Sequence, residues 1–536
     1  MIMVRNYIKL LFFLLFFLHF TSCINKGNDG DLPVSTSQYN ISPNGKGIIF
    51  NANPEELSNA SKDDVTYQWY KGDDPNFENA KPIKGATSAT YNTGKIRKGI
   101  HFYFCVISES QKNDTSATTL LPFSVAFTGL PLVEINTVDN EEPTAEYVSC
   151  EDYGGNYGRT LRNTTKVPAS MRIISSKGKV LYESGEYIKG TSGLKLRLRG
   201  NTSAYSDKKP YKITLQKKAD LLKDICVSTT DKRVGEAYED TEWLLLKDAV
   251  NLKSAVSLIV ADIAGIPWTP NFAYVDVVIN GSYRGIYDLI ESVKRSEKRI
   301  NVNEDGWIIE RDSYWWNEDI KIITDSFNQK YTFKYPKPKE LQENEFLYMQ
   351  NHLANVELSV LNGTYDKYID VPSFARWVLI HDILCTIDLG GSNQFFTKLD
   401  ATSNSRLELA TPWDFDSTLE DEDVWSKFHY NDRGYFKSLF ESTNTSFYDS
   451  YCRQWESIAP KLWPELHAKL KKLKKRMGKA INLSRSYDAL RWNTSNKTVE
   501  NELDTIENWF VSRIEWLNGQ IRKDSIVFSE PSSSHP

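Results

Sequence analysis

The chain has 536 residues, of which 40% are hydrophobic and 25% charged, with a formal net charge of −5 at neutral pH. At roughly 100–200 residues per domain, this length exceeds one ordinary core and predicts two to four folded units. The small net charge and ordinary apolar content exclude a largely disordered chain and a nucleic-acid binder, while 14 Trp and 28 Tyr favour packed β-structure and ligand surfaces.

At the N-terminus, Arg5 and Lys9 flank the start of the apolar run LLFFLLFFLHF, and FTSC follows. This is the pattern of an export signal over residues 1–22. The apolar run is shorter than the ~20 residues a spanning helix needs, which argues against a transmembrane anchor. The small residues before Cys23 resemble the lipobox of bacterial lipoproteins, and that resemblance implies a diacylglycerol on the Cys23 thiol. The expected location is the bacterial cell envelope, lipid-anchored, periplasmic or surface-exposed. Residues 23–38, rich in Gly, Asp, Ser and Asn without apolar periodicity, read as a flexible tether. The other cysteines, Cys105, Cys150, Cys226, Cys385 and Cys452, are scattered without a CxxC pair, so they read as buried thiols and give no zinc site or disulfide framework.

From 39 to 128, short strands alternate with turn signals, as in YQWYKG and GIHFYFCVIS, and predict a β-sandwich. Trp69 and Cys105 resemble the core Trp and late-strand Cys of immunoglobulin-like domains, although the early-strand Cys of that family is absent. After a boundary near Leu130 the chain is strand-rich to about 310: ASMRIISS, LKLRLRGN, PYKITLQ, TEWLLLKD, and a hairpin turning at Asn280-Gly281. One helix is expected within it, from the spacing of Leu252, Val256, Ile259, Val260 and Ile263. Beyond Pro336 and Pro338 the pattern is mainly helical over about 340–521, with helices from Glu340 to about Leu361, from Ser373 to Thr386, and several from Tyr435 to Ile521. Residues 522–536 read as a disordered tail. The basic run from Lys469 reads as a solvated helix face.

Two stretches carry chemistry. TIDLGGSNQFF places Asp388 and Asn393 in a loop between apolar segments, followed by the strand-like NQFFTKL. TPWDFDSTL places Asp414 and Asp416 around Phe415, so that alternation in an extended segment points both carboxylates one way and anchors the ring in the core. With Asn393 they make an oxygen-only set suited to Mg²⁺; the alternative is an Asx-type turn with solvated acids. His381 lies on an apolar stripe and reads as a core histidine.

An acid, an amide five residues on, and an Asp-Phe-Asp some twenty further follow the order of base, amide ligand and metal-holding Asp in protein kinases. With LRLRGNTSAYSDKKPYKITL and VVINGSYRGIYDLIESV ahead of them, these motifs resemble the CotH kinase family, the spore-coat-protein-H-like atypical protein kinases, over about 130–521. The resemblance implies a bilobal α+β kinase-like domain after the sandwich. It also implies transfer of the ATP γ-phosphoryl group to Ser or Thr hydroxyls of a protein acceptor, with Asp388 as base and Asp414 as metal ligand. Strand parity groups Lys209 with Tyr211, Ile213 and Leu215 and makes Lys209 the expected phosphate-binding lysine; a one-residue slip would exchange it with Lys208 or Lys212. Glu291 ends the hairpin where kinases place the adenine edge, or pairs with a nearby Lys or Arg. A second reading keeps the fold as a non-catalytic surface lipoprotein that binds glycan or protein.

Overall fold

The computed structural model describes residues 38–52, 65–109, 117–155, 158–227, 233–387, 392–419, 427–428 and 434–521. The expected signal peptide, Cys23, all of the tether but its last residue, Asp388 and the tail from 522 lie outside these residues. Two compact units are present: one holds Gly47–Gly94 and His101–Val125, the other Tyr39–Lys46, Lys95–Ile100 and Ala126–Pro536.

In the first unit the strand Val65–Gly72 pairs antiparallel with the strand Gly99–Glu109, which sets Trp69 opposite Cys105. Trp69 is fully buried, and its ring lies 5.0 Å from Phe123 and 5.5 Å from Tyr91. Its indole N–H donates to the Ser88 carbonyl at 2.8 Å, so the polar end of the largest core side chain is satisfied. Cys105 is a free thiol that burial pushes up to about 12. The five described cysteines are all free; four are buried, as expected, and Cys226 is half-buried.

The second unit opens with a closed barrel. Its strands are β1 (Leu132–Thr137), β4 (Val167–Ile174), β6 (Leu194–Leu198), β7 (Tyr211–Ala219), β8 (Asp240–Leu246), β9 (Phe272–Ile279) and β10 (Ser282–Glu291), while β2 (Glu146–Ser149) and β3 (Arg159–Arg162) form a separate hairpin and β5 (Val180–Glu183) flanks β4. The ring runs β4-β6-β7-β8-β10-β9-β1 and closes where β1 pairs back on β4, Met171 opposite Ile135. Leu194, Leu196 and Leu198 alternate with Lys195 and Arg197 along β6, so the leucines fill the interior with Ile213, Trp243, Val275 and Leu289. Each such side chain contributes about 1.5–3 kcal/mol by leaving water. The expected hairpin between β9 and β10 is present, and Asn280 (φ 51°) and Gly281 (φ 74°) both take the positive φ that a type I′ turn needs.

Helix α1 (Lys253–Ile263) follows β8 in the chain and buries Val256, Val260 and Ile263. A second sheet then forms from β11 (Trp307–Arg311), β12 (Lys321–Ile323), β13 (Lys330–Tyr335), β14 (Gln394–Lys398) and β15 (Leu407–Pro412), in the order β12-β13-β11-β14-β15. Its helices are α2 (Glu343–Leu361), α3 (Val371–Leu384), α4 (Tyr435–Phe440), α5 (Ser446–Trp492) and α6 (Val499–Gln520). The region expected to be mainly helical thus carries two strands of a five-stranded sheet. The first, β14, falls on the strand-like NQFFTKL, and all five of its residues are buried. The basic run sits on α5 with Leu470, Leu473 and Ala480 buried and Lys471, Lys472 and Lys475 exposed, a solvated face on an amphipathic helix. Among the described residues no helix is long and apolar enough to cross a membrane. The molecule is multidomain, sheet-rich toward the N-terminus and helical toward the C-terminus.

Candidate active site

A cleft of about 530 Å³ is lined by the outer face of the barrel, by the second sheet and by the loops that follow α3 and β15. Those two loops are bonded to each other. The Ile387 N–H donates to the Ser417 carbonyl at 3.1 Å, and the Leu419 N–H donates to the Leu384 carbonyl at 3.1 Å. Two chain segments some thirty residues apart in sequence are thereby held side by side. Helix α3 is fixed at both ends: the Asp370 carboxylate caps it by accepting from the Ser373 N–H at 2.8 Å, and the buried Arg513 donates to the Asp382 carbonyl near its last turn.

The loops supply the acids. Asn393 and Asp414 both hold left-handed backbone, φ 66° and 64°, a conformation that costs most residues about 1–2 kcal/mol and that Asn and Asp tolerate best. The Asn393 Nδ2 donates to Asp414 Oδ2 at 3.1 Å. Phe415 is buried, 6.1 Å from the His381 ring, while Asp414 and Asp416 are exposed and line the cleft. The expected alternation of acid, buried ring and acid is therefore present, although the turn is made by a left-handed residue and not by an extended strand. His381 is fully buried beside Trp377 and Thr386, and burial lowers it to about 3, so it is a neutral core residue.

Sheet strands add Glu310 on β11 and Lys334 on β13, which pair at 2.6 Å. Burial raises the Glu310 carboxyl against the pull of Lys334, and its Oε1 also accepts from the Asn393 N–H at 3.3 Å. Burial would lower the Lys334 ammonium, but the carboxylates of Glu310 and Asp312 hold it above the ordinary lysine value. The Glu310–Lys334 pair thus braces the loop that presents Asn393.

The barrel supplies cations. Arg197 and Arg199 are two residues apart at the end of β6, and Lys212 is the cross-strand partner of Arg197 on β7; all three line the cleft. Lys212 pairs with Glu242 at 3.0 Å. Lys209, the expected phosphate lysine, is not among the lining residues: its Nζ donates to the Ala204 carbonyl at 2.9 Å and lies 3.3 Å from the Tyr147 hydroxyl. The physical reason is that β7 begins only at Tyr211, after Pro210, and that the face shared by Tyr211, Ile213 and Leu215 is the barrel interior, whereas the cleft lies on the outer face. Lys208 is buried, 2.5 Å from Asp488 and donating to the Ile286 carbonyl at 2.8 Å. Glu291 is buried in a pair with Arg233 at 2.8 Å and accepts from the Asn271 N–H at 2.9 Å, which is the pairing alternative and not a place in the cleft lining. Asp388 lies outside the described residues, one position beyond Ile387.

Sequence reasoning missed Arg197, Arg199, Glu310 and Lys334. The first two carried a legible signal, since LKLRLRG alternates leucine with cations; Lys334 lies in KYTFKY, which also alternates, whereas Glu310 on the buried strand WIIER carried none.

Among the described residues no cluster of three or more His, Cys, Asp or Glu is arranged to hold a metal. The donor set present is an amide and a carboxylate in contact, with a second carboxylate at Asp416 on the same cleft. That set fits Mg²⁺, which uses one or two carboxylates and completes its octahedron with water and phosphate oxygens.

A search of curated proteins finds no match to this chain. Among solved structures it is similar to the Helicobacter pylori proinflammatory kinase CtkA, at 12% identity over 50% of this chain and 91% of that one, with a TM-score of 0.23. The family model described as CotH kinase protein matches residues 196–517, from the middle of β6 to near the end of α6 and across every cleft residue contributed by β6, β11 and the two acidic loops. More than half of the chain lies within that match, and the chain belongs to the CotH kinase family.

Proposed function

We propose that this chain is a Mg²⁺-dependent protein kinase that transfers the γ-phosphoryl group of ATP to a Ser or Thr hydroxyl of a protein acceptor. The observation that carries this reading is the Asn393–Asp414 pair, 3.1 Å apart in a cleft that the barrel lines with cations. Membership of a kinase family supports the use of ATP and a divalent metal. Asn393 and Asp414, with Asp416, would hold the metal, whose charge would neutralise the phosphate oxygens. Phe415 and the left-handed backbone fix where those carboxylates sit, so little reorganisation is required of them. Asp388, five residues before Asn393, accepts the acceptor's proton as its oxygen bonds to the γ-phosphorus and the bond from that phosphorus to the β–γ bridging oxygen breaks, leaving ADP.

We read the first unit as an immunoglobulin-like sandwich, on the strength of buried Trp69 opposite Cys105, and the second as two lobes about the cleft. Cys23 carries the lipid that anchors the chain in a bacterial envelope. The test of the activity is transfer from γ-labelled ATP to casein or to the chain itself. Label should be incorporated by the unaltered chain and be lost in Asp388→Asn. An unaltered chain that transfers no label with Mg²⁺ present overturns the catalytic reading in favour of a binding lipoprotein on a kinase-like fold.

A further inference from the structure

We infer that the cation that holds the nucleotide phosphates in this cleft is the guanidinium of Arg199, supported by Arg197, and not a lysine ammonium. The inference rests on the kinase reading and specifies which side chain of this chain binds the triphosphate.

The lysines near the cleft are engaged already, Lys253 among them, whose Nζ donates to the Asp416 carbonyl at 3.0 Å. Lys208 is buried against Asp488 and the Ile286 carbonyl. Lys209 donates to Ala204, Lys212 is paired with Glu242 at 3.0 Å, and Lys334 with Glu310 at 2.6 Å. Recruiting any of the three that are ion-paired would leave a partially buried carboxylate without its counter-ion. Arg197 and Arg199 differ: both line the cleft, and among the described residues neither guanidinium makes a hydrogen bond or an ion pair.

Burial lowers the Arg199 guanidinium from its ordinary value, and the carboxylates of Asp414, Asp248 and Glu310 oppose that effect. A half-buried guanidinium, influenced by acids it does not bond, leaves its five N–H donors unused among the described residues. The planar fork of arginine matches two oxygens of a phosphate, and Asp414, which lines the same cleft, would hold a metal beside those phosphates. The backbone is held as well. The Arg199 N–H donates to the Pro210 carbonyl at 3.2 Å, and the chain then turns at Gly200 with φ +95°, a conformation that favours glycine.

The test is calorimetric titration of the full chain with Mg-ATP and with adenosine. Arg199→Ala should weaken Mg-ATP about tenfold or more and leave adenosine unchanged, as removal of a charge-assisted bond requires. Arg199→Lys should recover only part of that loss, and Lys209→Ala should stay within about twofold of the unaltered chain. Should Arg199→Ala fold poorly, the unaltered chain still decides: phenylglyoxal labelling of Arg199, read by peptide mass spectrometry, should be suppressed by Mg-ATP and not by adenosine. Mg-ATP binding that is undiminished in Arg199→Ala, or labelling that Mg-ATP leaves unchanged, overturns the assignment while the kinase reading stands. An unaltered chain that binds no Mg-ATP overturns both.

Discussion

The barrel wall and the loop wall of the cleft place charge by different means. On the barrel, Arg197 and Lys212 ride on the outward positions of strands whose inward leucines, isoleucine and tyrosine fill a closed core, with Arg199 one residue past the end of β6, so regular alternation aims them. On the loop wall, Asn393 and Asp414 are aimed by left-handed backbone, by two hydrogen bonds that tie one loop to the other, and by the anchor of Phe415. Cations that hold a polyanion tolerate a broad field, whereas metal ligands need fixed angles; the local strain sits where the geometry is most demanding.

The comparison breaks first at the chemistry of the loop wall. Asp388→Asn keeps the side chain's size and removes the base that we propose, so turnover should fall by about 10² to 10⁴ in single-turnover assays while Mg-ATP binding persists. Loss of binding and turnover together would mean that Asp388 does not act as the base. Next comes a residue behind the barrel wall. Asp488→Ala leaves the buried Lys208 without its partner and should cost about 3–5 kcal/mol in urea unfolding. Lys212→Ala, at a half-buried pair on the outer face, should cost about 1 kcal/mol or less. Equal losses would show that the two lysines have the same structural role.

A finer cut separates strain from ligation. Asn393→Gly suits the backbone at φ 66° and should change stability by less than about 1 kcal/mol, yet Mg-ATP affinity should drop by about tenfold because an oxygen ligand is gone. Unchanged affinity would remove Asn393 from the metal's donor set.

The smallest effect is one of pH. Asp288 on β10 is buried, and burial followed by the charge of Asp248 raises its carboxyl to about 8, against the pull of Arg485 and Lys208. In the unfolded chain an aspartate ionises at about 4, so between about pH 4 and 8 the folded state binds the extra proton. The stability from this group is whole below the unfolded value and is lost as pH rises through the folded one. Asp288→Asn should therefore flatten the fall of melting temperature between pH 4 and 8; a slope identical to that of the unaltered chain would show that Asp288 does not hold the proton.

The readable parts of this molecule are those where one face meets water. Alternation disclosed β6 and β7, and the Asn280-Gly281 turn disclosed the hairpin. The acids at 414 and 416 were legible for the same reason, since a buried Phe415 between two carboxylates is a local pattern. Lys209 lies off the cleft because period 2 gives the two faces of a strand but does not say that the cleft is on the barrel's outer side. Glu310 was invisible, as its strand WIIER is buried and carries no alternation; Lys334 stands in the alternating KYTFKY, but their pairing joins residues 24 apart that only the sheet order brings together.

The most direct measurement of the central claim is calorimetry of the unaltered chain and of Asp414→Asn with ATP, each with and without Mg²⁺. A carboxylate that holds the metal predicts that the unaltered chain binds ATP more tightly with Mg²⁺ than without, and that Asp414→Asn loses that Mg²⁺-dependent gain, about tenfold or more. Identical Mg-ATP affinities for the two chains would contradict the assignment of Asp414 to a metal and, with it, the reading of this cleft as the site of metal-assisted phosphoryl transfer.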